Sequence, residues 1–267
     1  MTSIYQRVAQ LEAEGKGGVL CTIISSRGST PRHAGSKMLV FPDGNFIGSV
    51  GGGEIENRVL QEAKAAYLDG RTRKLVYNMV NPAEGDPGIC GGTVEVYVEP
   101  ILPKPVLVII GGGHVGKVTA SLGKWLGFTV VVSDDRPEFC NKEFIPDADE
   151  FYICPMAELT QKMEITPHTY IVLTTRGSDV DVDGLAPLLE TTARYIGVIG
   201  SKRRWLTTRK GLLEKGVSRE RLDQVHSPIG LELGAETPEE IAVSILAEII
   251  MIRNGGTGSV MKMKVQE

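Results

Sequence analysis

The hydrophobic pattern of the first hundred residues changes period several times, which predicts a mixed domain of helices and strands. Apolar residues at helical spacing predict a helix over 3–14, which the glycines from Gly15 end. The triple glycine 51–53 opens a second predicted helix, 54–68, which ends at Asp69 and Gly70. Shorter apolar or alternating runs bounded by Gly, Pro, Asp and Asn predict strands. These predicted strands are 19–25, 36–41, 46–50, 72–80 and 93–98. We therefore expect an α/β domain with a core of its own.

Beyond residue 105, buried-type apolar runs alternate with helical segments, which is typical of a parallel sheet. The predicted strands are 106–110, 129–132, 170–175 and 195–199. A helix over 117–126 separates the first two strands. A last helix begins at the capping residue Thr237 and ends near Arg253.

The expected fold class is thus an N-terminal α/β domain followed by a Rossmann-like, doubly wound parallel-sheet domain. We place the two domains at 1–99 and 106–255. A proline-rich linker, 100–105, joins them, and 256–267 is expected to be a flexible tail.

A glycine motif follows the strand 106–110. Gly111, Gly113 and Gly116 come directly after it, and Asp134 lies 18 residues beyond Gly116, after the next strand. Strand, glycine turn, helix, strand and acid in this order are typical of a dinucleotide-binding unit. The glycines permit a tight turn and close approach of a pyrophosphate to the helix N-terminus. The alternative is a glycine-rich turn that binds nothing.

Composition narrows the class of protein. The 267 residues are 42% hydrophobic and 23% charged, as in soluble globular proteins. The net charge of −4 gives no global attraction for nucleic acid or a membrane surface. The N-terminus has no secretory signal pattern, and no apolar stretch reaches the ~20 residues that span a bilayer. The four cysteines lack Cys-x-x-Cys spacing, so we expect reduced thiols in a cytoplasmic protein.

Two loops of the first domain are candidates for anion or ligand binding. The loop 25–36 follows a strand and carries Arg32, whose guanidinium suits an anion. The alternative for this loop is a solvated connection. Gly51, Gly52 and Gly53 form a strand-to-helix turn at which a ligand can approach the backbone. The alternative there is tight packing between two elements.

Cys90 lies in a third loop, next to Gly91 and Gly92. A structural cysteine normally sits in an apolar element, whereas a thiol among glycines is accessible and close to backbone N–H groups. Cys90 is therefore a candidate reactive or ligating residue. The remaining cysteines are interpreted as core or bystander thiols: Cys21, Cys140 and Cys154.

Polar residues also follow the strands of the second domain. Ser201 is a predicted N-cap after the strand 195–199, and Lys202 and Arg203 then place positive charge where it opposes the helix dipole. An anion bound there would offset that cost. The alternative is a solvent-facing basic turn. His114, within the glycine turn, is either a donor to a phosphate or pterin or a spacer.

Three aspartates, Asp179, Asp181 and Asp183, formally fit a calcium-binding loop. Such a loop needs a helix on each side, but the buried-type strand 170–175 lies just upstream. We therefore interpret these residues as the acidic start of a helix.

Six segments together resemble the XdhC/CoxI family of maturation factors for molybdenum hydroxylases, and the similarity covers nearly the whole chain. The segments are Gly28 to Met38, Gly48 to Gly53, Gly88 to Gly92, Gly111 to Gly116, Ile199 to Arg204 (IGSKRR) and Pro228 to Ala242 (PIGLELGAETPEEIA). The last of them is long and specific.

The resemblance implies a carrier of the molybdenum cofactor, either molybdopterin or its cytosine dinucleotide. Such a carrier protects the cofactor while a terminal sulfur is installed, and delivers it to a xanthine dehydrogenase-type apoenzyme. A homodimer and a cysteine desulfurase partner are also implied. The phosphate end suits the Rossmann glycines with Lys202 and Arg203. The pterin and metal end suits Gly51 to Gly53 and Cys90, which as a soft thiolate is a possible molybdenum ligand.

Two positions depart from the family pattern. Many relatives have a cysteine where this chain has Glu54, and the segment 176–179 lacks the histidines found in many of them.

Two other functions stay open. In an NAD(P)-dependent oxidoreductase Asp134 would bind a ribose hydroxyl, although the chain has no Tyr-x-x-x-Lys pair. In a nucleotide-binding redox regulator, oxidation of Cys90 would change ligand affinity.

Overall fold

The computed structural model describes residues 3–79 and 91–262. The chain divides into two compact units, Met1–Pro103 and Lys104–Glu267. The predicted fold class is confirmed, because the first unit contains an antiparallel sheet with helices and the second a parallel, Rossmann-like sheet. The predicted site residue Cys90 lies outside the described residues.

The first unit is a five-stranded antiparallel sheet covered by a helix. Its strands are β1 (Gly18–Arg27), β2 (Lys37–Val40), β3 (Phe46–Gly48), β4 (Arg73–Asn78) and β5 (Thr93–Ile101), in the spatial order β3-β2-β1-β5-β4. Helix α1 (Ile4–Ala13) precedes the sheet, and α2 (Gly53–Asp69) joins β3 to β4. Alternate residues of β1 and β5 point inward, where Val59 and Ala63 of α2 complete the core.

Strand β5 runs through Pro100, so the segment between the sheets is 102–105 and not the predicted 100–105. Pro100 lies opposite Val19 of β1, while the pairing of β5 with β4 ends at Val98. At Pro100 the strand therefore has a neighbour on one side only. An edge position of this kind tolerates a residue without an N–H group.

The second unit is a parallel sheet covered by helices on both faces. Its strands are β6 (Val106–Ile110), β7 (Thr129–Asp134), β8 (Glu150–Ile153), β9 (Thr169–Leu173) and β10 (Tyr195–Val198). Its helices are α3 (His114–Trp125), α4 (Leu159–Lys162), α5 (Ser178–Leu189), α6 (Lys202–Glu214), α7 (Arg219–Asp223) and α8 (Pro238–Asn254). The strand order β10-β9-β6-β7-β8 places the topological switch between β6 and β9, where such sheets bind ligands at their carboxyl ends.

Period-two alternation along β6 divides the core of this unit. Leu107 and Ile109 face a cluster that includes residues of α3 and α8. Val108 and Ile110 face a cluster that includes residues of α5 and α6. Burial on both faces explains why the strand is a continuous apolar run.

Several boundaries differ from the prediction. Helix α3 begins at His114, earlier than predicted, because Gly113 serves as the N-cap. Strand β8 was not predicted, since it is a short, only partly buried edge strand. The acidic start of a helix at Ser178 is confirmed. In the described part of the chain, no helix has the length and apolar character needed to cross a membrane.

Candidate functional site

Three candidate loops of the first unit lie next to one another. We call the segments 28–33, 49–53 and 91–92 the loop cluster. A Cβ placed on Gly51 would lie 3.5 Å from the side chain of Pro31. The triple-glycine turn and the basic loop are therefore in van der Waals range, although they are separate motifs in the sequence.

The glycines after Cys90 pack directly on the basic loop. A Cβ on Gly92 would overlap the carbonyl oxygen of Ser29, and a Cβ on Gly28 would lie 3.0 Å from the carbonyl oxygen of Gly91. No larger residue fits at position 92 without moving backbone. The structure thus brings the Gly91–Gly92 turn to the basic loop.

The N-terminus of α2 opens from the triple glycine. Gly51, Gly52 and Gly53 have φ values of 146°, 80° and 56°, in which a side chain would be strained. A Cβ on Gly52 or Gly53 would meet nothing within 4 Å. Since Gly52 caps the helix without a side-chain hydrogen bond, the first N–H groups of α2 suit an approaching anion.

Some of the charged side chains around this turn already form hydrogen bonds or ion pairs within the chain. Glu56 accepts hydrogen bonds from the hydroxyl of Ser49 at 2.6 Å and the N–H of Val50 at 3.3 Å, which holds the turn onto α2. Glu54, where many relatives have cysteine, forms an ion pair with Arg58 at 2.9 Å. Arg32 is exposed and forms no ion pair within the described residues.

In the second unit, the three glycines of the Gly111-x-Gly113-x-x-Gly116 motif occupy three different environments. Gly111 has a φ of 105°, and its carbonyl accepts a hydrogen bond from the Thr174 hydroxyl at 2.6 Å. A Cβ on Gly116 would overlap that same carbonyl. Gly113 has an ordinary φ of −62°, and its Cβ would meet nothing within 4 Å. Neither strain nor packing requires glycine at 113, where the residue serves as the N-cap of α3 and leaves the backbone open. His114 follows, exposed, as the first residue of α3.

Asp134 is buried beneath this turn, with a relative exposure of 5%. It accepts four hydrogen bonds: from the backbone N–H groups of Gly112 at 2.9 Å and Arg136 at 3.0 Å, and from two guanidinium nitrogens of Arg136, each at 2.9 Å. A carboxylate has about four lone-pair sites. The carboxylate of Asp134 is therefore fully occupied by its own chain.

A cleft of about 230 Å³ lies at the carboxyl ends of the parallel strands. It is lined by residues that follow β6, β7, β8 and β9, among them Gly111, Asp135, Arg136, Cys154 and Arg176. Asp135 and Arg176 form a bidentate ion pair with nitrogen–oxygen distances of 2.7 and 2.9 Å. Hydrogen bonds from Arg176 lower the pKa of Asp135 to about 2. Because β6 lies between β7 and β9, this pair passes over the end of β6.

The basic turn at the start of α6 divides into two parts. Arg204 reaches the fully buried Asp181 at 2.7 Å, and also the hydroxyl of Thr175 at 2.7 Å. It thereby compensates a buried charge on α5. Lys202 and Arg203 are exposed and, within the described residues, form no ion pair. Ser201 is confirmed as the N-cap, since its hydroxyl accepts from the Arg204 N–H at 3.2 Å.

One polar cluster was missed by sequence reasoning. Glu248 of α8 is 8% exposed and accepts hydrogen bonds from the Tyr195 hydroxyl at 2.5 Å and the Gly230 N–H at 2.7 Å, with His226 Nδ1 at 2.9 Å. Burial raises the pKa of Glu248, but these partners outweigh it and lower the pKa overall. The only signal in the sequence is a glutamate within the apolar stretch 241–252. The cluster anchors the Pro228–Ala242 motif to α8.

Three curated proteins are similar to this chain. The Escherichia coli (strain K12) protein YqeB is 34% identical over 261 residues, which cover 97% of this chain and 48% of that protein. A probable xanthine dehydrogenase subunit of Bacillus subtilis (strain 168) is 34% identical over 161 residues, 60% of this chain and 47% of that protein. The E. coli molybdenum cofactor insertion chaperone PaoD is 25% identical over 294 residues, 90% of this chain and 84% of that protein. This chain spans about half the length of the first two.

The family assignment rests on two family models, with a solved structure in support. A crystal structure described as a xanthine dehydrogenase from Bacillus halodurans is 26% identical, with a TM-score of 0.52 over 94% of this chain and 95% of that chain. The model of the XdhC and CoxI family matches residues 11–78, within the first unit. The model of the XdhC Rossmann domain matches residues 107–249, more than half of the chain. The chain therefore belongs to the XdhC and CoxI family.

Proposed function

We propose that this protein binds the molybdenum cofactor, as molybdopterin or its cytosine dinucleotide, and delivers it to a xanthine dehydrogenase-type apoenzyme. Family membership and the similarity to PaoD, which is named as a molybdenum cofactor insertion chaperone, support this proposal. The observation that carries it is the loop cluster, because three motifs that are far apart in the sequence share one surface there.

In this proposal, the groups of the loop cluster and Cys90, which precedes Gly91 in the sequence, have distinct tasks. The open N–H groups after Gly52 and the exposed guanidinium of Arg32 suit the oxygen and nitrogen edges of a pterin or an anionic ligand. Cys90, next to Gly91, is the thiolate that would hold molybdenum, as a soft ligand. The bound cofactor supplies the redox-active metal centre that the apoenzyme needs. Glu54 replaces a second thiol, so we propose that Cys90 acts alone.

The second unit offers a separate site for a phosphate. The open backbone at Gly113 and the N-terminus of α3 suit an anion, and Lys202 and Arg203 add positive charge at another helix start. Reversing the charge at Lys202 and Arg203 would then weaken binding of the phosphorylated end. We further propose a cytoplasmic homodimer that receives sulfur from a cysteine desulfurase, as the family resemblance implies.

The test measures bound pterin. The chain is expressed in a host that makes molybdenum cofactor, purified without oxygen and oxidised, and pterin fluorescence and molybdenum content are then read per chain. We expect both in near-stoichiometric amounts. Recovery of NAD without pterin would overturn the proposal in favour of an oxidoreductase.

Two substitutions test the loop cluster and the predicted ligand Cys90. Cys90→Ala is expected to reduce molybdenum retention by at least tenfold. Arg32→Ala is expected to reduce pterin retention. The thermal midpoint of Arg32→Ala should stay unchanged, because Arg32 makes no ion pair in the described structure. Arg71→Ala is the matched control, since Arg71 is also an exposed arginine of this unit but lies beyond the C-terminus of α2. Equal retention in wild type, Cys90→Ala and Arg32→Ala would remove the cluster from the binding site.

A further inference from the structure

We propose that Arg136 is the residue against which a nucleobase stacks in the cleft of the second unit, and that Asp134 fixes Arg136 in place instead of binding a ribose. This inference goes beyond the proposed function, which assigns only a phosphate to this unit. The ligand class is a nucleoside 5′-phosphate, whether free or part of a dinucleotide.

Asp134 occupies the position at which an acid commonly binds ribose hydroxyls. Its carboxylate, however, already accepts four N–H groups from Gly112 and Arg136 and is 95% buried. Since a carboxylate has about four lone-pair sites, a ribose would have to displace one of these charge-assisted or turn-forming bonds. The geometry therefore assigns Asp134 to the support of the glycine turn and of Arg136.

Arg136 is held rigidly at the border of the cleft. Two nitrogens on one edge of its guanidinium bond to Asp134, and the ring of Phe139 lies under the guanidinium carbon at 4.1 Å from its centroid. Within the described residues the nitrogen Nη1 forms no hydrogen bond, and the Arg136 side chain, which lines the cleft, is 32% exposed. Planar guanidinium groups stack well on aromatic rings. A side chain that is already immobilised loses little entropy when a base stacks on it.

The cleft also has the position for a nucleoside. Gly111 belongs both to its lining and to the glycine turn, so a phosphate at the turn places the attached sugar and base beside Arg136. Its volume of about 230 Å³ lies below the ~300–1,000 Å³ of pockets that enclose whole drug-sized ligands. The ion pair between Asp135 and Arg176 bounds it on the side of β9.

The test compares ligands with and without a base on the full-length protein. Isothermal titration measures the dissociation constants of CMP, AMP, NAD and ribose 5-phosphate for wild type and Arg136→Lys. Lysine keeps the positive charge beside Asp134 but lacks a planar face. We expect CMP or AMP to bind about tenfold more weakly to Arg136→Lys, with ribose 5-phosphate unchanged, because stacking alone is lost. Preference for CMP would indicate a cytosine dinucleotide, and preference for AMP or NAD an adenine nucleotide.

A second variant covers the case in which Arg136→Lys does not fold. Phe139→Leu leaves the ion pair to Asp134 intact and removes the ring that backs the guanidinium, so a smaller loss of about threefold, again confined to base-containing ligands, is expected. Parallel weakening of all four ligands, no change in any, or no nucleotide binding to wild type would each overturn the proposal. Pterin retention, which tests the proposed function, is a separate readout and can survive this failure.

Discussion

The loop cluster of the first unit and the cleft of the second are both built from glycine turns and arginines, but they differ in what the arginines contact. Arg32 is exposed and forms no ion pair in the described part of the chain. Around the cleft, Arg136, Arg176 and Arg204 each hold an aspartate. A glycine- and arginine-rich motif can therefore be an open surface or a prebuilt network. Only in the second kind do the arginines contribute to stability before a ligand arrives.

Arg204→Met is the substitution for which this difference predicts the largest loss of stability. Removing one partner of a buried ion pair leaves the other charge uncompensated, and Asp181 is fully buried. We expect a loss of about 3 kcal/mol in the free energy of unfolding, measured by urea titration. Arg203→Met, in the same helical turn, is the control and is expected to change stability by less than about 0.5 kcal/mol. Equal losses of unfolding free energy in the two variants would contradict the assignment of a buried ion pair to Arg204 and none to Arg203.

The next test concerns the packing within the loop cluster. Gly92→Ala would place a Cβ into the carbonyl oxygen of Ser29, so we expect a loss of about 2 kcal/mol in unfolding free energy. Gly91→Ala is the matched control, because its φ of 78° is strained but its Cβ would meet nothing within 4 Å. Its expected cost is about 1 kcal/mol. If Gly92→Ala does not lower the free energy of unfolding, the segments 28–33 and 91–92 do not touch.

The smallest effect is expected at the exposed ion pair of the cleft. Arg176 holds the pKa of Asp135 at about 2, below the ordinary 3.8, so the pair stabilises the fold above about pH 4 and this contribution is lost as pH falls toward 2. Asp135 is 42% exposed, and solvent therefore reduces the contribution to about 0.5 kcal/mol. Asp135→Asn should lower stability by this amount at pH 7 and flatten the decline between about pH 4 and 2. An unchanged pH profile would show that the pair contributes nothing.

The fold could be predicted where the determinants are local. The run 106–110, the glycine turn and the N-cap at Thr237 are each set by neighbouring residues, and the structure has them as expected. Strand β8 could not be predicted, because its four partly exposed residues show no distinctive hydrophobic period. Its existence depends on pairing with β7.

The candidate site could be predicted only as a set of positions. The sequence marks Asp134 as an acid after the second Rossmann strand, but the loss of its free lone pairs depends on the conformation of Arg136 two residues later. Arg204 lies in a recognisable basic turn, yet its role requires knowing that Asp181 of another helix faces it. The assignments of Arg32, Gly51 to Gly53 and Cys90 to the cofactor stay predictions.

The contacts of Arg204 have a mechanical consequence. Its guanidinium joins the first turn of α6 to both the hydroxyl and the carbonyl oxygen of Thr175, the residue before Arg176. Because Thr175 also lines the cleft, these bonds tie the start of the basic turn directly to the rim of the cleft, by a route that does not pass through the sheet.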